Sequence, residues 1–439
     1  MNSIESLYPY FLQYPNVITD SRKIEPNCLF FALKGPNFNG NQYAKEALEK
    51  GAAYAIIDEV ADQLDDRHLL VEDVLTTLQQ LARYHRQQME IPVLAITGSN
   101  GKTTTKALIS EVMSSHYRTH FTKGNFNNHI GVPLTLLAMP QDTEVAIIEM
   151  GANHQGEIAL LCSIAQPTHG LITNIGKAHL EGFGGLEGVK KGKGELYDYL
   201  AKVGGLAFVN LDEAHLADLS EKVTHRIFYL KSETLDPAIH HLETVMLEDR
   251  PVLSAAFLNE NEELVKLQSH LMGEYNFQNI MSAIAIGRYF KVPGGKIKAA
   301  IEGYIPQNNR SQMVRQGDNT YLLDAYNANP TSMINALNYF AGIETDAKIA
   351  ILGDMLELGE YSQQEHQAIL DHALNLAIQT IVLVGKAFQQ LETQHLPQVY
   401  QFEHAEATNH WLAEQHFENH HFLIKGSRGI ALERILEKG

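Results

Sequence analysis

The stretch PVLAITGSNGKTTTKALISEVMSSH, from Pro92 to His116, constrains this chain more than any other. An apolar run of strand length meets a glycine turn, and the turn opens into a segment whose apolar residues Leu108, Ile109 and Val112 recur at helical spacing. A buried strand that feeds a helix in this way belongs to a parallel α/β sheet. The turn has the parts of a phosphate-binding loop, in which backbone amides cradle phosphates before a lysine and a hydroxyl engage phosphate and Mg2+. The usual spacing is G-x-x-x-x-G-K-[ST]. Here Ile96 takes the place of the first glycine and the nearest upstream glycine is Gly98. The motif is therefore G-x-x-G-K-T, with Ser99 and Asn100 inside it, Gly101 closing it, and Lys102, Thr103 and Thr104 following. An ordinary Gly-Ser-Asn-Gly turn with a solvated lysine would not need a strand before it and a helix after it.

At 439 residues the chain exceeds one typical core, and about 150 residues per domain suggests roughly three. Residues 1–88 hold short strand-like runs, CLFFAL and AYAIID, around a helical NQYAKEALEKGA. An amphipathic helix in VEDVLTTLQQLARYHRQQ follows and ends before Pro92, a natural hinge. Residues 89–310 alternate strands such as VAIIEM, HGLITNIG and GLAFVN with helices, as a parallel sheet does. After PQNNRSQMV the alternation restarts in TYLLDAY, AKIAILGD, TIVLVG and HHFLIKG, which predicts a Rossmann-like domain over residues 311–439. The predicted fold class is α/β in three domains.

A net charge of −18 argues against nonspecific binding to nucleic acid or an anionic membrane, while leaving room for a local basic pocket. Cys28 and Cys162 lack any C-x-x-C spacing and read as buried thiols in a reducing compartment. The first residues, MNSIESLYPYFLQYP, have no basic segment of the kind that opens a signal peptide. No apolar run approaches the roughly 18 residues of a membrane span. A cytoplasmic protein is expected. The histidines between His404 and His421 lack metal-ligand spacing and read as surface residues.

Other stretches carry chemistry. EVAIIEMGAN places Glu149 at a strand end, where a doubly wound sheet presents groups to its ligand crevice; there a carboxylate could hold a Mg2+ that Thr103 also contacts. TNIGKAHLEGFGG offers His179 in a glycine-rich loop, a weak signal alone. VKKGKGELYDYL supplies Lys190, Lys191 and Lys193 beside Glu195, by composition a solvated or phosphate-binding face. In KGNFNNHIGVPLTLL, Asn127 and Asn128 suit either an asparagine-rich turn or a polar-ligand site. GEYNFQN puts Asn276 and Asn279 three apart on one helical face. Helix capping is the plain alternative for Asn276.

TGSNGKTTT, NFNNHIGVPLTLL, IIEMGAN, TNIGKAHLEGFGG, KGE, GEYNFQN, DAYNANPTSM and ILGDMLELG occur in the order found in the Mur ligases of peptidoglycan synthesis, and the chain resembles that family over nearly its whole length. The short G-x-x-G-K-T loop is typical of it. YNANP followed by LGDMLELG looks like the members that add D-alanyl-D-alanine to UDP-N-acetylmuramoyl-tripeptide. The resemblance implies ATP-dependent amide bond formation through an acyl phosphate, with residues 1–88 binding the UDP substrate, 89–310 binding ATP and 311–439 receiving D-Ala-D-Ala. It implies Gly98 to Thr104 as the phosphate loop and Lys102 on the β,γ-phosphates. Thr103 and Glu149 match the ligands of a first Mg2+, and His179 of a second. Lys193 matches a lysine carbamylated in relatives, although Gly192 stands where they often carry alanine. Asn276 and Asn279 match nucleotide-pocket residues, and Arg310 and Asp324 match residues that close over ATP. Tyr326, Asn327 and Asn329 match the dipeptide side of the site. Ser21 and Arg22, with Asn39, Gly40 and Asn41, match the pocket for the uridine nucleotide. KGSRG, Lys425 to Gly429, ends a strand where an anion or carboxylate could bind. A monomer acting on small molecules, with no nucleic-acid or membrane partner, is expected. The alternatives are a sister enzyme adding the third residue, a folylpolyglutamate-type ligase, or a nucleotide-gated binding protein without ligase activity.

Overall fold

The computed structural model describes residues 2–60, 65–236, 238, 241–306, 310–345 and 347–436. Its centre is the strand Val93–Thr97, every residue of which is buried. A strand covered on both faces reads as a continuous apolar run rather than an alternation. It lies within a nine-stranded sheet. On one side it pairs in parallel with Val145–Glu149 and then Thr119–Phe121. On the other it pairs with His169–Ile172, followed by Leu206–Asn210, His225–Ser232 and Leu242–Glu248, all parallel. Two antiparallel strands, Ser254–Leu258 and Leu264–Gln268, extend that edge. The expected parallel alternation thus covers most of the sheet and misses this terminal hairpin, whose connection is too short to carry a crossover helix.

Ahead of this sheet, Val17–Ile18, Leu29–Phe31, Tyr54–Ile57 and His68–Leu70 form a four-stranded parallel sheet. The helix Val74–Gln87 then packs against Gly131–Leu137 and Glu157–Ala165 of the central layer. Asp73 caps its start through Thr76 N–H. Near its end the buried Arg86 donates to the carbonyls of Met89, Ile91, Ala165 and Gln166, fixing the segment before Pro92 against the central layer.

The last sheet has six strands. Asn319–Leu323, His421–Lys425, Lys348–Gly353, Thr380–Val384 and Val399–Phe402 run parallel, and Gln312–Gln316 joins antiparallel at one edge. One cluster of buried apolar side chains runs from Phe31 and Leu78 through Ile148 and Tyr197 to Phe340 and Leu352, so all three sheets share packed surface. Cys28 and Cys162 are buried and unpaired. No helix among the described residues is long and apolar enough to cross a membrane.

Candidate active site

In the central sheet Ile96 faces Glu149 and Thr97 faces Ile172. The carboxyl ends of three strands therefore meet where the strand order reverses, the crevice in which open α/β sheets bind ligands. Ile96 is fully buried inside the strand, so the loop can begin only at Gly98. Gly98 has φ +143°, and a Cβ there would stand 2.0 Å from Thr173 Oγ1. Gly101 has φ +78°, and a Cβ there would stand 2.6 Å from Asn279 Oδ1. Both places are closed to any side chain. Between them Asn100 N–H donates to Asn174 Oδ1 at 2.9 Å, and its carbonyl accepts from Thr173 Oγ1 at 2.6 Å. Ser99 Oγ exchanges hydrogen bonds with Gly176. The loop is pinned, and the helix Lys102–Ser114 starts from Gly101 with no side-chain cap. Its first amides are left for an anion.

Lys102 folds back over this loop, donating to Gly98 O at 2.7 Å and Ser99 O at 3.1 Å. Burial pushes its pKa down to about 8; Glu149 opposes the shift and Arg310 adds to it. Glu149 is buried, and its Oε1 accepts from Thr103 Oγ1 at 3.2 Å and Asn127 Nδ2 at 2.8 Å. Its Oε2 lies 3.1 Å from Lys106 Nζ. Thr103 and Glu149, expected to share a metal, do stand together. Lys106 escaped the sequence reading because a lysine on a helix reads as solvated, yet it lies one turn beyond Lys102 on the same face.

Lys193 has no exposed surface. Its Nζ donates to Ala152 O at 2.9 Å and lies 5.0 Å from the centre of the Phe183 ring. Burial holds its pKa well below the usual lysine value, and the Lys102 charge pushes it further, against Glu157 and Glu195. The composition reading of a solvated face is therefore wrong for this lysine: the helix Leu186–Val203 turns it inward. Gly192 explains the cover, since a Cβ there would stand 2.3 Å from a Phe183 ring carbon. Glu195 caps a neighbouring helix, accepting from Gly156 N at 2.5 Å and Ala159 N at 2.9 Å. Glu195→Ala is expected to lower stability by about 1 kcal/mol, as loss of an N-terminal cap does; an unchanged urea midpoint would contradict that role.

The third sheet closes the site. Asn329 Nδ2 donates to Asn100 Oδ1 in the glycine loop at 2.7 Å. Lys177 Nζ meets Glu365 Oε1 at 2.5 Å, and His179 Nδ1 meets Glu357 Oε2 at 2.5 Å. The His179 hydrogen bond and charge hold the Glu357 carboxyl below its usual value. Asp324 accepts from Ser311 N at 3.1 Å and pairs with Lys425 Nζ at 2.6 Å. Lys425 is buried in that pair, so the expected anion site at KGSRG is already neutralised at its lysine.

A cavity of about 1280 Å³ runs between the glycine loop and the third sheet, and Lys193, expected at the reacting centre, is not among its lining residues. It is lined by the glycine loop, Asn127, Asn128, Glu149, His179, Asn276, Asn279, Arg310, Asp324, Tyr326, Asn327 and Asn329. Several lining residues also have structural work. Asn128 Oδ1 accepts from Ile130 N and Gly131 N at the start of a helix, the turn alternative left open for it. Asn276 precedes the helix Phe277–Tyr289 without capping it; its Nδ2 donates to Met272 O at 2.7 Å and its Oδ1 accepts from Asn279 Nδ2 at 2.8 Å. Asn279 Oδ1 accepts from Thr105 Oγ1 at 2.8 Å, which braces the glycine-loop helix.

Ser21, Arg22, Asn39, Gly40 and Asn41 do not line this cavity. Arg22 pairs with Asp20 on the surface. Asn39 donates to Glu59 and accepts from Asn41, and Asn41 Nδ2 donates to Asp58 Oδ1. Gly40 lets the backbone pass Leu33 O, 2.4 Å from where a Cβ would stand.

Family models match the chain in three consecutive pieces: the Mur ligase catalytic domain over residues 13–86, the Mur ligase middle domain over 96–287 and the Mur ligase glutamate ligase domain over 309–428. A UDP-N-acetylmuramoyl-tripeptide–D-alanyl-D-alanine ligase of Bacillus subtilis is 36% identical over 80% of this chain and 76% of its own. The chain belongs to the Mur ligase family. The crystal structure of MurF from Acinetobacter baumannii is similar to this Mur ligase with a TM-score of 0.84 and 30% identity, covering 96% of this chain and 92% of its own. The MurF ligase of Thermotoga maritima, solved in complex with ADP, shares the fold with a TM-score of 0.83 at 24% identity, covering 97% of each chain.

Proposed function

We propose that this Mur ligase joins D-alanyl-D-alanine to UDP-N-acetylmuramoyl-tripeptide while ATP is cleaved to ADP and phosphate. The observation that carries the reaction class is that Lys102 of the glycine loop and Arg310 line one cavity with Thr103 and Glu149. Burial lowers the Lys102 pKa and the Arg310 charge lowers it further, in a chain of net charge −18. A site that stores repulsion among cations is relieved by a polyanion and by a carboxylate brought against it. The choice of substrates follows the relatives at 36% and 30% identity.

In this reading the loop amides and Lys102 hold the β,γ-phosphates, and Arg310 closes over ATP from the side of the third sheet. The terminal carboxylate of the tripeptide attacks the γ-phosphorus and the bond to ADP breaks. The dipeptide amine then attacks the acyl carbon and phosphate leaves, the amine losing a proton. The chain's part is to neutralise and align two anions that would otherwise repel.

Mg2+, when bound, supplies charge neutralisation at the phosphates. The donors fit it. Thr103 and Glu149 offer a hydroxyl and a buried carboxylate side by side, and Mg2+ usually takes one or two carboxylates with phosphate oxygens and water completing its shell. Among the described residues no cluster of three or more His, Cys, Asp or Glu side chains is placed to hold a metal. For a second ion, His179 and a carbamate on Lys193 are the donors this reading assigns. Carbamylation needs a neutral amine, which the burial of Lys193 favours. Asn276 and Asn279 would border the nucleotide, Asp324 would fix the segment carrying Arg310, and Tyr326, Asn327 and Asn329 would border the dipeptide. Asn39, Gly40 and Asn41, with Ser21 and Arg22, would take the uridine end. A site completed within one chain supports action as a monomer, and UDP-linked substrates and ATP support a cytoplasmic location.

Phosphate release measured with each substrate omitted in turn tests the reaction. Release only when ATP, tripeptide and dipeptide are all present is expected. ATP binding with no substrate-dependent turnover would instead support a nucleotide-gated binding protein.

A further inference from the structure

We propose that Arg428 binds the terminal carboxylate of the incoming dipeptide and so makes the enzyme prefer an acceptor that ends in a free acid. This rests on the reading of the acceptor as D-Ala-D-Ala. Such an acceptor reacts through its amine, and its carboxylate passes through the reaction still charged. In a chain of net charge −18 that carboxylate needs a cation of its own.

The surroundings of Tyr326 supply one. Arg310 stands 3.7 Å and Arg428 5.5 Å from the centre of the same Tyr326 ring. Two guanidinium groups on one ring attract the ring and repel each other. Neither forms an ion pair among the described residues, whereas Lys425, three residues before Arg428, is spent on Asp324. The turn carrying Arg428 is anchored: Ser427 N donates to Asp354 O at 3.1 Å, Ser427 Oγ accepts from Leu356 N at 2.9 Å, and Ile430 N donates to Ser427 O at 2.9 Å. Arg428 is thus an exposed cation on a fixed base, beside a ring that lines the cavity. Arg310 lines the cavity with the glycine loop, and its charge reaches Lys102, which places it with the phosphates. Arg428 remains for the carboxylate, which its planar fork can hold through two parallel hydrogen bonds.

The test compares D-Ala-D-Ala with its C-terminal amide as acceptors, at saturating ATP and tripeptide, for the natural enzyme and for Arg428→Gln and Arg428→Lys. The natural enzyme is expected to show a KM for the amide about 10- to 100-fold above that for the acid, the span of a charge-assisted hydrogen bond. Arg428→Gln is expected to raise KM for the acid by that factor while kcat, KM for ATP and KM for the amide hold. Arg428→Lys is expected to keep part of the preference. Equal use of acid and amide by the natural enzyme would overturn the assignment without any variant. So would an Arg428→Gln enzyme that keeps the preference, or one whose KM rises for ATP instead. If the natural enzyme uses neither acceptor, the reading of the acceptor itself falls.

Discussion

Lys193→Ala is expected to reduce ligation below detection, with partial recovery when a short-chain carboxylate is added. The expectation comes from the contrast between this lysine and its surroundings. A fully buried ammonium beside Lys102 is held well below its usual pKa, and its single hydrogen bond, to Ala152 O, does not require a charge. An amine kept neutral in this way can add CO2 at Nζ and lose a proton, turning a would-be cation into an anion. In the alanine variant that anion is missing, and a small carboxylate can enter the space the side chain has left. Recovery should follow the size of the carboxylate, and labelled bicarbonate should give a carbamate signal in the natural enzyme alone. Full activity of the variant without additive would contradict the assignment.

Lys102→Ala is expected to slow turnover by about 100-fold or more, since removing one preorganised charge typically costs about 3 kcal/mol of transition-state stabilisation. Lys102 now spends its ammonium on Gly98 O and Ser99 O, hydrogen bonds that a phosphate oxygen would replace. Its loss leaves the loop itself in place, because Asn100 is also held by Thr173 and Asn174, and Ser99 by Gly176. The variant should therefore keep its melting temperature while losing rate. Rates near those of the natural enzyme would remove the phosphate role.

Some of this was legible in the sequence for local reasons. The short loop could be read because a fully buried strand and an amphipathic helix bracket it, and Ile96 proved to be a strand residue with no part in the turn. Glu149 was legible as a polar residue ending an apolar run. Lys106 was not, because its partner Glu149 comes from a strand distant in sequence and pattern alone does not tell a buried helical lysine from a solvated one. The pairs across sheets were out of reach for the same reason: Asn100 and Asn329 are 229 residues apart, and Lys177 and Glu365 are 188 apart. The asparagines at 128, 276 and 279 had readings left open by composition, and the structure shows each side chain hydrogen-bonded within the fold while still bordering the cavity. The residues matched to the uridine pocket lie away from that cavity, where sequence spacing carries no distance information.

The measurement that bears most directly on the central claim supplies UDP-N-acetylmuramoyl-tripeptide and ATP with one acceptor at a time and follows phosphate release. Release that responds to D-Ala-D-Ala and not to free lysine, diaminopimelate or glutamate is the predicted result. Release driven by a free amino acid but not by D-Ala-D-Ala would contradict the account.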